Sequence, residues 1–212
     1  MSAPDPRLAL NAALRHLIDK TRRLQTAPDA AAEATALVAQ ASALLDAHTV
    51  ATVESQAGLA PGMGGPATGM GRGPDRLTPE EFFPYSPVIG PLNPLAPPMA
   101  MTVNEDLSIT GTVTLGAAYN GPPQSVHGGV IALLMDELLG CTAVVNDVGG
   151  FTGTLNIYYR VPTPIGKPLR VRARMGKRER RKTWIAGVIE DDDHLYVEAE
   201  GIFIRPRMAD EG

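Results

Sequence analysis

Hydrophobic and polar positions divide the chain into three stretches with different periods. In the first 57 residues apolar side chains recur near 3.6 spacing. After Pro6, Leu8, Ala12, Leu14 and Ile18 form one stripe. After a break at Ala27-Pro28-Asp29, the residues Ala34, Leu37, Val38, Ala41, Leu44 and Leu45 form a second. Two helices are predicted, with Asp29 as the N-cap of the second, fading over Thr49–Ser55 and ending by Gly58. Together they are expected to make an antiparallel helical hairpin.

From Gly58 to Pro98 eight Gly and ten Pro occur in 41 residues, which excludes a helix or a central strand. The first part, residues 58–74, reads as a linker. The second carries Phe82, Phe83, Tyr85, Val88 and Ile89 and is expected to be irregular but packed on the C-terminal domain.

After Pro98 the period becomes two. Met99, Met101 and Val103 alternate with polar residues, Asn104-Glu105-Asp106 is a turn, and Leu107, Ile109, Gly111, Val113 and Leu115 resume the alternation, as in a hairpin. Residues 127–148 are long and apolar enough for a buried helix. Four strand-like runs come after it, separated by turn signals at Pro162–Pro164, Glu179–Arg181 and Asp191-Asp192-Asp193. The fold class is therefore α+β. A helix apolar almost all round must be covered on most sides. A twisted antiparallel sheet wrapped around one central helix does so, which is the hotdog architecture, here preceded by the helical hairpin. One copy leaves part of that helix bare, so a homodimer, or a dimer of dimers, is expected. The domains are then residues 1–57, the linker 58–74 and the hotdog domain 75–212, with residues 1–57 expected to be dispensable for the rest.

Composition narrows the function. Of 212 residues, 44% are hydrophobic and 20% charged, and the net charge of −4 argues against a general nucleic-acid binder. A single cysteine, Cys141, excludes an intramolecular disulfide or a cysteine zinc site, and no metal site is expected. The first residues lack a signal-peptide pattern, and no run of about 18 uncharged apolar residues occurs. A cytoplasmic protein that meets neither membrane nor nucleic acid is expected.

The candidate chemistry sits at the start of the central helix, Val126-His127-Gly128-Gly129, and nine residues past the histidine at Asp136. Glycine lets a ligand approach the backbone, and the first N–H groups of a helix have no internal partner. A thioester carbonyl placed there would have its developing oxyanion stabilised. For Gly-Gly alone a plain turn and cap is the commoner explanation. Asp136 and Glu137 are the only acids between Val126 and Val145, and a buried carboxylate must be offset by hydrogen bonds or a functional role. Alternatively the two share one solvent-facing edge. His127 suits capping better than proton transfer, and Cys141 is read as a small core residue. Thr152 and Thr154 fall on one strand face by period two.

Residues PPQSVHGGVIALLMDELLG and FTGTLNIYYRVPTPIGKPL closely resemble the hotdog-fold acyl-CoA thioesterases of the PaaI type, over roughly Tyr85 to Arg205. The HGG with an Asp nine residues on, and Asn-x-x-Tyr-x-x-Pro from Asn156 to Pro162, carry the likeness. It implies hydrolysis of acyl-CoA to a free acid and CoA, with no cofactor beyond the CoA of the substrate. It implies Asp136 as general base or nucleophile, Gly128 and Gly129 holding the carbonyl, and Thr152 assisting. Asn120, His127, Thr154 and Arg160 are candidate substrate contacts. The alternatives are a non-catalytic acyl-CoA-binding protein and an acyl-thioester hydratase or dehydratase.

Gly128 and Asp136 lie about 12 Å apart along one helix, too far to serve one carbonyl, so composite sites from two subunits are implied if this chemistry applies. Ten of the nineteen Lys and Arg fall between Arg160 and Lys182, with Glu179 as the only acid among them. A cationic strand face results, either a solvated outer surface or a landing site for the phosphates of CoA.

Overall fold

A computed structural model of the chain describes residues 5–50, 77–97, 99–148 and 150–205. The linker expected at 58–74 lies outside these residues.

Six antiparallel strands form one sheet: β1 (Ala100–Val103), β2 (Ile109–Thr114), β3 (Phe151–Tyr159), β4 (Pro168–Glu179), β5 (Lys182–Glu190) and β6 (Leu195–Ile204). Their order is β1-β2-β4-β5-β6-β3, so among the described residues β3 is an edge strand paired with β6 alone. Alternation decides which face is which. On β4, Leu169, Val171 and Ala173 are buried and the intervening arginines are exposed. On β5 and β6, Thr183, Ile185, Ile189, Val197, Ala199 and Phe203 point the same way.

The long helix α4 (Gly128–Val145) fills that inner face, with Leu134, Met135, Leu138 and Leu139 fully buried. Two glycines permit the close contact. A Cβ on Gly187 would stand 2.9 Å from the Leu139 side chain, and one on Gly201 3.2 Å from it. By length and composition α4 is apolar enough to cross a membrane. Here half of it is enclosed by the sheet, and the hydrophobicity is that of a core helix. Cys141 is among the buried residues, and burial pushes its thiol pKa well up.

The proline-rich segment before β1 is ordered, as its apolar residues imply. Thr78 and Glu81 form a reciprocal capping box on the short α3 (Pro79–Phe82), and Phe82, Val88 and Ile89 enter the core.

At the N-terminus, α1 (Pro6–Arg23) is capped by Asp5 and α2 (Pro28–Leu45) begins on Pro28. The expected cap, Asp29, lies inside the first turn instead. Proline's fixed φ suits the first helical position, which moves the start two residues earlier, with Ala27 as the N-cap. No residue of α2 is buried. By contrast, α1 is tied to the domain. Arg7 donates to the Tyr85 hydroxyl at 2.9 Å and Arg15 to the Asn93 carbonyl at 3.0 Å. The Asp19 carboxylate accepts the Ala117 N–H at 3.0 Å, and Arg22 donates to Asn120 Oδ1 at 3.3 Å.

Candidate active site

The loop that delivers the chain to α4 is fixed from several sides. Asn120 Nδ2 donates to the carbonyls of Pro122 and Ser125, each at 3.0 Å, while its Oδ1 takes the Arg22 bond. The Val126 N–H donates to the Thr163 carbonyl and the His127 N–H to that of Tyr119, both at 2.9 Å. Asn120 is thus a brace of this loop, with both ends of its amide engaged.

His127 is the N-cap of α4. Its Nδ1 accepts the Gly129 N–H at 3.0 Å. The capping role expected for His127 is therefore present, and it occupies one of the two glycine amides. The Gly128 N–H has no hydrogen-bond partner among the described residues. Tyr159 on β3 donates to the Gly128 carbonyl at 2.9 Å, fixing the plane of that peptide. Sequence reasoning singles Tyr159 out only as a motif letter; its role needs the strand to lie beside the helix start.

One stripe of α4 is left uncovered by the sheet. Gly129 and Leu133 are exposed, Asp136 and Gly140 half-buried, and these four recur on one helical face. Asp136 sits in the middle of that stripe. Its Oδ1 accepts the Thr152 hydroxyl proton at 3.0 Å.

Glu137 points elsewhere. The buried Ser86 hydroxyl donates to its Oε1 at 2.7 Å, and the same Ser86 oxygen accepts the N–H groups of Val88 and Ile89. Burial raises the Glu137 pKa, opposed by the Ser86 hydrogen bond. The two acids therefore do not share an edge: one faces β3, the other braces the segment before β1.

Thr152 and Thr154 do not share a face either. Thr152 pairs with Phe203 and Thr154 with Ile202, a bulge that makes Gly153 the extra residue. Thr152 turns inward with Phe203, and Thr154 outward with Asn156 and Tyr158. A Cβ on Gly153 would stand 2.4 Å from the end of the Ile204 side chain, so a larger residue there requires that side chain to move.

Arg160 also lies on the outer side. It is ion-paired with Glu198 at 2.5 Å and stacks over the Tyr158 ring at 5.2 Å. A groove of about 770 Å³ runs across that outer face, lined in part by Tyr158, Arg160, Arg172 and Glu198. The sheet separates it from Asp136. The one group of metal-capable side chains among the described residues, Asp191, Asp193 and His194, is at the β5–β6 turn. There Asp191 is taken by Lys167, the Tyr196 hydroxyl and two backbone N–H groups.

The segment that carries the site is similar to known proteins. A family model described as Thioesterase superfamily matches residues 124–198, from the loop before His127 into β6. The acyl-coenzyme A thioesterase THEM4 of Mus musculus is 36% identical over 92 residues, 42% of this chain and 40% of the relative. The acyl-coenzyme A thioesterase THEM5 of Homo sapiens is 29% identical over 98 residues, 45% of this chain and 40% of the relative. The chain thus matches about two fifths of the length of these curated relatives. A crystal structure titled as a thioesterase superfamily protein aligns with a TM-score of 0.79 and 29% identity, covering 96% of this chain and 97% of that one. The sheet and its central helix have the hotdog fold, similar to the thioesterase superfamily in sequence over residues 124–198 and to one thioesterase superfamily protein in structure over nearly the whole chain.

Proposed function

We propose that the protein hydrolyses acyl-CoA thioesters to a free carboxylic acid and CoA. The observation that carries this reading is Asp136 itself. It is a carboxylate half-exposed on the bare stripe of an apolar helix, oriented by the Thr152 hydroxyl and free on its other oxygen lone pairs to take a proton from water. Water adds to the thioester carbonyl as Asp136 accepts its proton, giving a tetrahedral oxyanion. The oxyanion collapses, the C–S bond breaks, and the CoA sulfur leaves with the proton that Asp136 returns. Direct attack by the carboxylate, followed by hydrolysis of the anhydride, uses the same geometry. The Gly128 amide, at the positive end of α4, is the donor for the oxyanion.

Two chains complete each site in this proposal. The unpaired edge of β3 carries exposed Phe151, Tyr158 and Tyr159, and α4 exposes Leu133 beside it. An open edge with such side chains is a surface for a second strand. Antiparallel pairing of β3 with its own copy brings Thr152 and Asp136 of one chain toward Tyr159 and Gly128 of the other. That removes the separation of about 12 Å within one helix.

The hydratase alternative loses support from His127, which lies at the helix start with Nδ1 engaged, while α4 itself carries no histidine. Thiol release from a graded series of acyl-CoAs tests the proposal. Asp136→Asn is expected to lower turnover at least about a hundredfold with the dimer retained. Near-native turnover in the variant would remove Asp136 from the reaction. A wild-type chain that binds acyl-CoA without releasing thiol would favour the binding-protein alternative.

A further inference from the structure

We infer that Asp19, on α1, is a positioning residue for the proposed hydrolysis: through the turn at residues 116–121 it fixes the backbone that presents the Gly128 N–H. This rests on the acyl-CoA reading of the site. It adds a role for the N-terminal helix, which lies outside the segment 124–198 matched by the thioesterase model.

The contact is built from both sides. Residues 117–119 form a single 3-10 turn that starts at Gly116, and glycine has no side chain with which to cap it. The cap comes from α1 instead. Asp19 Oδ1 accepts the Ala117 N–H at 3.0 Å, while the Arg23 guanidinium holds the other carboxylate oxygen. A Cβ at Gly116 would stand 2.8 Å from Asp19 Oδ1, and the next atom it would meet is Asp19 Cγ at 3.6 Å. Gly116 has φ at −81°, open to any residue. What glycine provides there is room for the Asp19 carboxylate.

The turn in turn carries the backbone of the site. The Tyr119 carbonyl, at its end, accepts the His127 N–H at 2.9 Å. Asn120 and Val126 form an antiparallel bridge, and the Gly121 N–H donates to the Ser125 carbonyl at 2.8 Å. A Cβ at Gly121 would stand 2.6 Å from the His127 Cα, so the turn lies directly on the histidine backbone. The peptide that joins His127 to Gly128 bears the amide assigned to the oxyanion. On the helix side its carbonyl accepts the N–H groups of Val130 and Ile131. On the loop side its direction depends on the bond from the His127 N–H to Tyr119. Arg22, three residues past Asp19, donates to Asn120 Oδ1 at 3.3 Å and ties the same loop a second time. A donor stabilises an oxyanion only where it is aimed, and a displacement of about 1 Å can cost about a hundredfold in rate.

The other bonds of α1 supply the comparison. Arg7 and Arg15 reach the Tyr85 hydroxyl and the Asn93 carbonyl, in the proline-rich segment, and leave the 116–127 loop untouched. They dock the helix. Asp19 docks it and also aims the amide.

Steady-state thiol release from acyl-CoA, measured on the full chain well below its Tm, reads the effect. Asp19→Ala is expected to lower kcat about tenfold with KM changed less than about twofold. Asp19→Asn keeps an oxygen for the Ala117 N–H and should restore most of the loss. Gly116→Ala should lower kcat to a similar extent by pushing the carboxylate away, and Asp19→Ala/Gly116→Ala should be no worse than either single variant. Arg15→Ala removes a docking bond outside the loop and should keep kcat within about twofold of native. A native kcat in Asp19→Ala, an equal loss in Arg15→Ala, or additive losses in the double variant would overturn the assignment. Amide hydrogen exchange on the same proteins separates this inference from the proposed activity. Faster exchange over residues 117–129 in Asp19→Ala, with residues 182–190 unchanged, supports it even if the wild type releases no thiol. Unchanged exchange over 117–129 overturns it even if hydrolysis is confirmed. Should Asp19→Ala fold poorly, Gly116→Ala gives the same two readouts with α1 intact.

Discussion

The Thr152 hydroxyl and the Asp136 carboxylate meet at 3.0 Å across the gap between the edge strand β3 and the middle of α4. A hydroxyl that donates to one carboxylate oxygen holds the other in a fixed direction, which is what a base acting on a single water requires. Thr152→Val keeps the shape and removes the proton. It is expected to lower kcat for acyl-CoA about tenfold with KM little changed, and Thr152→Ser to restore most of the loss. Steady-state thiol release on the three proteins checks it; a valine variant with native kcat would make Thr152 a packing residue only.

Composite sites predict complementation between two dead chains. Asp136→Asn lacks the base, and Gly128→Val blocks the approach to the free amide. A Cβ at Gly128 meets the Tyr159 ring at 3.7 Å, an ordinary contact, so the second lesion acts on the ligand path more than on packing. After chain exchange about half the dimers are mixed, each with one intact site, and about a quarter of native activity should return. No recovery after verified exchange would place base and amide donor on the same chain.

The hydrogen bonds from α1 change what is expected of the N-terminal region. Asp19 caps the turn at Ala117, and Arg22 holds the Asn120 amide that braces the approach to His127. Asp19→Ala is expected to lower Tm by about 3 °C, the loss of one capping bond in a domain of this size. A chain beginning at Leu77 should melt lower still. Thermal unfolding of both against the full chain decides whether residues 1–57 are dispensable, as their separation by a Gly-rich stretch suggests.

Glu137 predicts a pH dependence with a definite sign. Its folded pKa is raised by burial, so the fold favours the protonated form. The stability this contributes is fully present below the ordinary glutamate range and is lost as pH rises through the raised value. Glu137→Gln keeps an acceptor for Ser86 and removes the charge. It should raise Tm by about 2 °C at pH 7 and leave it unchanged at pH 4, as read by calorimetry at both. An equal gain at both pH values would mean that packing, not charge, sets the effect.

Most of the fold is legible in the sequence because each signal is local. Period two marks the strands, the apolar run from Val130 to Val145 marks the core helix, and the turn residues fall where the chain reverses. The site is legible in part. The glycine turn and Asp136 stand out by their contrast with an apolar helix.

Three features depend on contacts that no local pattern encodes. Asp136 and Glu137 are adjacent in sequence, and which of them faces outward is settled by Ser86, 51 residues from Glu137. Thr152 and Thr154 obey period two only if the strand is regular, and the bulge at Gly153 reverses one of them. Arg160 reads as part of a cationic surface until Glu198, 38 residues on, neutralises it.

The pairing of β3 ties the assembly of the site to the order of synthesis. β3 comes after α4 in the sequence, yet it pairs in the sheet with β6, the last described strand, with Thr152 opposite Phe203. Until residues 195–204 have emerged and paired, nothing within the sheet holds Thr152 against Asp136 or Tyr159 against Gly128. The central helix and the β4–β5 hairpin can form early from nearby contacts, while the edge strand waits for a long-range closure. A nascent chain is therefore expected to pack α4 on β4 and β5 first, and to complete its core and position Asp136 together when β6 joins the sheet and receives β3.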